Sequence, residues 1–270
     1  MKTTLLSSLF AAATTLAGVV STTAPATAFA WNNSWTQPSL QGKSQTGFND
    51  APFQQFVQQE RIAIPNSGQF LLDPTKLKLK YDHDVSVYFI NEGASFRNQL
   101  AYEATGATNR SGLVFRDIAS PEAIMRENSG PLKLGDGVQI GKILGGTQLD
   151  FWLRADGRDL RENANIFGTQ TRSNPDGLQH VVAYAFGKYL MLGFEDLYGD
   201  LWAKGGKNQN SDRDFNDVVF VVDIGEANVK DLTSVPEPSM LLGLLGLSAA
   251  GALGLRRQKG DSVTQSAPQE

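Results

Sequence analysis

At 270 residues and 41% hydrophobic content, the chain is long enough to bury a sizeable core, most simply as one domain. A net charge of −4, with the basic residues scattered, excludes a phosphate-binding face and so excludes nucleic acid as a partner. Two histidines and no cysteine exclude disulfides, thiolate chemistry and imidazole-rich zinc, copper or iron sites, leaving packing and a hard metal ion as sources of stability.

Residues 1–30 carry Lys2, an apolar and small-residue stretch from Leu5 to Val20, and the small-x-small triplet Ala28-Phe29-Ala30. This is the pattern of a secretory signal peptide cut by signal peptidase after Ala30, with a cut after Ala28 as the alternative. The stretch is too short, and too interrupted by Ser and Thr, for a spanning helix. Residues 31–49 read as a polar arm dotted with aromatics. Asp50 is placed to cap a helix over Ala51–Glu60, with Pro52 in its first turn and Phe53, Phe56 and Val57 on one stripe that packs on a sheet.

From Ile62 the apolar period becomes two. Lys76, Lys78 and Lys80 alternate with Leu77, Leu79 and Tyr81, as in a strand whose lysines blunt an edge. Val85, Val87 and Phe89 alternate with Ser86, Tyr88 and Ile90, and Asn91-Glu92-Gly93-Ala94 then leads to Phe96–Tyr102, which predicts a β-hairpin. Further strands are predicted over 113–118, 138–143, 149–155, 179–186, 189–194 and 218–224, with turn chemistry at Asp156-Gly157 and Asn174-Pro175-Asp176-Gly177. Short helices are expected at 120–127 and 161–167. Many short strands separated by turns indicate an all-β fold, an antiparallel β-sandwich or jelly roll with short peripheral helices, spanning residues 31–234.

At Val235 the composition changes. Pro236-Glu237-Pro238 precedes Ser239–Leu255, seventeen residues of Leu, Gly, Ala and Ser with one Met, followed by Arg256 and Arg257. As a helix this run spans roughly 25 Å, adequate for a membrane with snorkelling flanks, and Arg256, Arg257 and Lys259 would hold its end in the cytoplasm. Residues 260–270 are a polar tail. Pro-Glu-Pro, a short apolar helix and Arg-Arg together resemble the PEP-CTERM sorting signal of bacterial envelope proteins. The resemblance implies recognition by an exosortase, transient retention in the membrane, removal of the tail near Pro236–Pro238, and transfer to the cell surface or extracellular matrix. Such signals usually stop soon after the arginines, whereas this chain continues to Glu270.

Residues 85–224 carry a second resemblance. The blocks Val87–Ala94, Gly193-Phe194-Glu195-Asp196-Leu197 and Asp212-Arg213-Asp214-Phe215-Asn216-Asp217-Val218-Val219-Phe220 are similar to those of the domain of unknown function 4114, a β-rich bacterial surface module. That family has no established reaction, so the likeness implies architecture and no activity.

The last two strands frame a crowd of acids. Like charges a few ångströms apart repel, so the loop either spreads into solvent or recruits a cation. Ca²⁺ takes six to eight oxygen ligands in flexible geometry, and Glu195, Asp196, Asp212, Asp214 and Asp217, with Asn216 contributing, supply suitable oxygens for one or two ions. The alternative is a solvated loop whose side chains cap backbone amides and pair with Arg213, Lys204 and Lys207. An EF-hand reading fails, because its sixth position is Asp217 where a turn glycine is needed, and strand follows at once.

Asp82-His83-Asp84 reads as turn chemistry and His180 as a hydrogen-bonded structural histidine. Trp31, Trp35, Trp152 and Trp202 suit carbohydrate stacking; Trp152 is expected in the core, leaving Trp202 in the acidic loop as the better ligand contact. Nucleophile-elbow, phosphate-loop, zincin and dinucleotide motifs are absent from the sequence. The expectation is therefore an exported, non-catalytic surface or matrix protein that binds a glycan or an envelope protein. A calcium-dependent polysaccharide hydrolase is the alternative.

Overall fold

A computed structural model describes residues 29–57, 64, 70–159 and 164–234. In chain order its elements are α1 (Lys43–Thr46), α2 (Ala51–Gln54), β1 (Phe70–Leu72), β2 (His83–Asn91), β3 (Asn98–Thr105), β4 (Arg110–Ile118), β5 (Gly137–Ile143), β6 (Gln148–Arg154), β7 (Ile166–Gly168), β8 (Val181–Phe186), β9 (Tyr189–Phe194), β10 (Lys204–Gly205), β11 (Asn208–Gln209), β12 (Val218–Asp223) and α3 (Glu226–Ser234). The strands form a six-stranded sheet in the order β1-β8-β9-β12-β2-β5, a four-stranded sheet in the order β4-β3-β6-β7, and the small ladder β10-β11. All pairings are antiparallel. The signal-peptide core, residues 58–60 of the expected helix, the apolar run 239–255 and the sorting residues around it lie outside the described residues.

Alternation sets the packing. Val87, Phe89, Leu192, Phe194, Phe220 and Val222 project from the larger sheet onto Leu100, Phe115, Phe151 and Leu153 of the smaller one, forming the sandwich core. Phe151 and Phe220 meet at 5.1 Å between ring centroids. Each such side chain contributes about 1.5–3 kcal/mol by leaving water. The opposite face of the larger sheet is covered as well: Phe48, Phe53, Phe56 and Val57 lie on Tyr88, Ile90, Met191, Val219 and Val221, with Phe48 stacked on Tyr88 at 4.0 Å. β12 is thus buried on both faces, which is why Val218–Val222 is an unbroken apolar run rather than an alternating one.

Several sequence expectations are corrected. β2 and β3 are not a hairpin; β2 pairs with β12 and β5, while β3 pairs with β4 and β6 in the other sheet. Residues 91–94 are instead a crossover, pinned where Gly93 N–H donates to the Asn216 carbonyl at 3.0 Å. Residues 76–80 alternate in burial as expected, with Leu77 and Leu79 each 1% exposed, but Tyr81 is exposed, and the segment pairs only as an isolated bridge from Lys78 to Gln148. No helix forms at 120–127, because its amides are committed elsewhere: Glu122 N–H to Ser120 Oγ, Ile124 N–H to Asn91 Oδ1 and Met125 N–H to the Glu92 carbonyl. Where the helix expected at 161–167 falls on described residues, 164–167, Ile166 and Phe167 belong to β7 and no helix forms. Asp50 makes no capping bond and turns to Lys43 and Gln54, while Asn49 Oδ1 accepts the Ala51 N–H at 3.1 Å. Trp152 is buried, yet on the outer face of the smaller sheet, stacked against Phe29.

One glycine fixes where the acidic loop rests. Gly193 in β9 faces the returning segment so closely that a Cβ there would sit 2.3 Å from the Phe215 carbonyl oxygen and 2.4 Å from Ile64 Cδ1. At Gly187, with φ +59°, a Cβ meets nothing within 4 Å, so alanine there adds backbone strain alone. Urea unfolding should therefore show Gly193→Ala destabilised by about 1–3 kcal/mol beyond Gly187→Ala; equal losses would mean that the loop does not rest on β9.

Candidate metal centre

β9 ends at Phe194 and delivers Glu195 and Asp196 to the rim of the sheet. The chain then leaves through Trp202 and the β10–β11 ladder, returns at Ser211, and runs through residues 212–217 into β12. Within that return Arg213 and Phe215 are left-handed, at φ 54° and 61°. Bulky side chains resist this conformation by about 1–2 kcal/mol each, so the surroundings must hold it. Ile64 N–H donates to the Asp214 carbonyl at 3.2 Å and Trp202 N–H to the Ser211 carbonyl at 2.8 Å. The Arg213 guanidinium donates to the Gln179 carbonyl and lies 5.1 Å from the Phe215 ring centroid.

This backbone gathers three carboxylates. One oxygen from each of Glu195, Asp212 and Asp214 lies within 4.8 Å of the other two. Two oxygens on a single Ca²⁺ stand at most about 5 Å apart, twice a bond of about 2.3–2.6 Å, so one ion can reach all three. Glu195 and Asp214 are buried and Asp212 is half-buried. Glu195 Oε1 accepts the Ser211 hydroxyl at 2.7 Å, while Oε2 is buried with no hydrogen-bond partner. Burial, reinforced by the charges of Asp196 and Asp212, pushes the Glu195 pKa up to about 7. A buried carboxylate oxygen in this position calls for a proton or a cation, and the donor set is entirely hard oxygen, which fits Ca²⁺.

Asp196 and Asp217 form a neighbouring group. Asp217 Oδ2 accepts the Asp196 N–H at 2.8 Å, and Asn98 Nδ2 donates to Asp196 Oδ2 at 2.7 Å. Burial raises both pKa values, and their mutual charge raises that of Asp217 further. Asn216 is fully buried, with its N–H on Asp214 Oδ1 at 3.0 Å and its carbonyl on Gly93. Asp196, Asp212 and Asp217 line a cavity of about 340 Å³ together with Phe96, Met125 and Trp202. Trp202 is 51% exposed on its rim.

His180 supports this arrangement. It is fully buried, and its ring stacks on Phe167 at 3.7 Å. Nδ1 donates to the Glu195 carbonyl at 2.9 Å, Nε2 meets Asp176 Oδ2 at 2.9 Å, and the His180 carbonyl accepts the Glu195 N–H at 3.0 Å. Burial lowers the imidazole pKa, opposed by the Glu195 carbonyl and Asp176. The Asn-Pro-Asp-Gly turn is in this way tied to the backbone of Glu195, a support visible in the sequence only as a histidine after a turn.

Glu92 is the residue that sequence reasoning placed in a turn and assigned no role. It is 2% exposed; Oε1 accepts Ser120 N–H at 3.3 Å and Oε2 has no hydrogen-bond partner. Burial pushes its pKa up to about 9, with the charges of Asp117 and Asp196 adding to the effect. The folded chain holds this proton, whereas the unfolded chain releases it near pH 4.5. Stability is therefore lost as pH rises from about 4.5 to about 9, by up to about 1.4 kcal/mol per pH unit for one proton. Glu92→Gln keeps the acceptor and removes the titration, so its stability should decline less steeply between pH 5 and 8 and exceed that of the parent at pH 8. Parallel pH profiles from urea melts would contradict this.

Residues 143–225 match the family described as a domain of unknown function, DUF4114. The match takes in the Gly193–Leu197 and Asp212–Phe220 blocks and leaves Val87–Ala94 outside it. Residues 234–258 match the PEP-CTERM protein-sorting motif, which contains Pro236, Glu237, Pro238, Arg256 and Arg257 and implies processing by an exosortase. No curated protein and no solved structure matches the chain. The chain thus carries a DUF4114 domain followed directly by a PEP-CTERM sorting motif, and is an exported, transiently membrane-anchored protein.

Proposed function

We propose that this exported protein is a non-catalytic binding module of the cell surface or extracellular matrix, whose sandwich is stabilised by Ca²⁺ at the β9–β12 end. The observation that carries the reading is the meeting of Glu195, Asp212 and Asp214 oxygens within 4.8 Å, one of these residues presenting a buried carboxylate oxygen without a hydrogen bond. Asp196 and Asp217 form a second acidic pair next to it in the chain, and the Asn216 N–H braces Asp214. The cavity beside it supports the binding half of the proposal: carboxylates and the half-exposed Trp202 in one lining suit a glycan, whose hydroxyls take hydrogen bonds while its ring face lies on indole.

Calcium bound only by the folded state raises the melting temperature. At one hundred times its dissociation constant the gain is about 2.7 kcal/mol, or roughly 5–11 °C for a chain of this size. Glu195→Gln and Asp214→Asn should abolish that rise while leaving the chelated protein folded. A melting curve indifferent to millimolar calcium and to chelator would remove the metal from the account.

Trp202→Ala should leave thermal stability within about 0.5 kcal/mol, since the side chain is exposed, yet lower retention on a panel of extracellular polysaccharides by about tenfold. Release of shortened saccharide by the parent protein, lost in Asp196→Asn, would replace binding with hydrolysis.

A further inference from the structure

Two overlapping small-x-small triplets, Ala26-Thr27-Ala28 and Ala28-Phe29-Ala30, end the leader-like segment, and both satisfy a signal peptidase. They differ in one respect that matters to the folded chain: a cut after Ala30 discards Phe29, and a cut after Ala28 keeps it.

Phe29 is part of the folded domain's packing. Its ring stacks on Trp152 at 4.6 Å with 6° between planes, and meets Trp31 at 6.1 Å and Trp35 at 6.0 Å. Trp152 lies over Gly168, its cross-strand partner, so closely that a Cβ on that glycine would come within 2.3 Å of the indole. One face of Trp152 is therefore filled by β7, and the other is covered by Phe29, which leaves the residue 3% exposed. The rest of the arm continues the same surface: Arg154 lies 5.9 Å from the Trp31 ring centroid and donates to Asn33 Oδ1 at 2.7 Å, and Gln37 bonds both the Val114 carbonyl and the Arg116 N–H. Removing Phe29 would uncover a large aromatic face on an exported protein that has no disulfide to offset the loss.

We infer that the export peptidase cuts the Ala28–Phe29 bond, so that the exported domain begins at Phe29 and its first side chain seals Trp152. The step is a hydrolysis: water adds across one peptide bond, leaving a carboxyl group on Ala28 and a free amine on Phe29. Ala26 and Ala28 are then the two small residues that the peptidase reads, and Ala30 belongs to the folded arm.

The test is amino-terminal sequencing and intact-mass measurement of the exported full-chain protein recovered from cells. Phe29 as the first residue supports the inference, and Trp31 overturns it. Ala30→Leu, which spoils only the second triplet, should be exported and cut as efficiently as the parent; accumulation of its precursor counts against a cut after Ala28. In the purified exported protein, Phe29→Ala should lower the melting temperature by roughly 2–6 °C and Phe29→Tyr should restore it. An unchanged melting temperature in Phe29→Ala would show that the ring seals nothing.

Discussion

Carboxylates taken out of water repel one another and resist losing their hydration, and Glu195, Asp196, Asp214 and Asp217 are all buried at the end of the β9–β12 pair. Each device around them serves to hold that arrangement against its own electrostatics. Gly193 lets the Phe215 carbonyl approach the sheet, two bulky residues accept left-handed backbone, and His180 grips Glu195 by both its N–H and its carbonyl. A chain merely tolerating an acidic turn would let it swing into solvent, where separation and screening cost nothing. Burial raises the pKa of Glu195, Asp196 and Asp217, so these acids call for shared protons or a cation.

The larger features were legible in the sequence because they are local. Period-two alternation in Val85–Ile90, the apolar strand Tyr189–Phe194, the continuous run Val218–Val222, and the return of the chain through an acidic loop all appear in the structure where the residues suggest them. What was illegible is non-local or conformational. Asn91–Ala94 looks like a hairpin turn, but the partners of β2 are β5 and a strand some 130 residues away, and turn chemistry carries no information about such a partner. Ser120–Glu127 has a helical composition whose amides find better acceptors on Asn91, Glu92 and Ser120. The left-handed conformations of Arg213 and Phe215 have no sequence signal, since glycine or asparagine is the usual occupant. Five carboxylates stand out as candidate ligands in the sequence, yet only the backbone path shows that Glu195 joins Asp212 and Asp214 while Asp196 pairs with Asp217.

The N-terminal part of the described chain acts as a coat for both sheets. Residues 48–57 cover the outer face of the six-stranded sheet with aromatic rings, and residues 29–37 cover the outer face of the four-stranded one. Between these two patches Gln41 pairs with Gly137 at the edge of β5, closing an otherwise open strand. A sandwich normally has one core; this one acquires additional layers from its own leading segment, which suits a protein that lacks cysteine.

α3 packs Val229 into the sandwich core, pairs Asp231 with Lys80, and is tied at its base by one side chain with four hydrogen bonds. Asn228 accepts the N–H groups of Lys80 and Tyr81 and donates to the carbonyls of Tyr81 and Ile224. The sorting motif starts at Ser234, the last residue of that helix, so in the sequence no linker separates the folded domain from its sorting signal. Processing at the start of that signal would therefore trim the exported protein almost flush with its last helix, leaving the sandwich without a trailing tail.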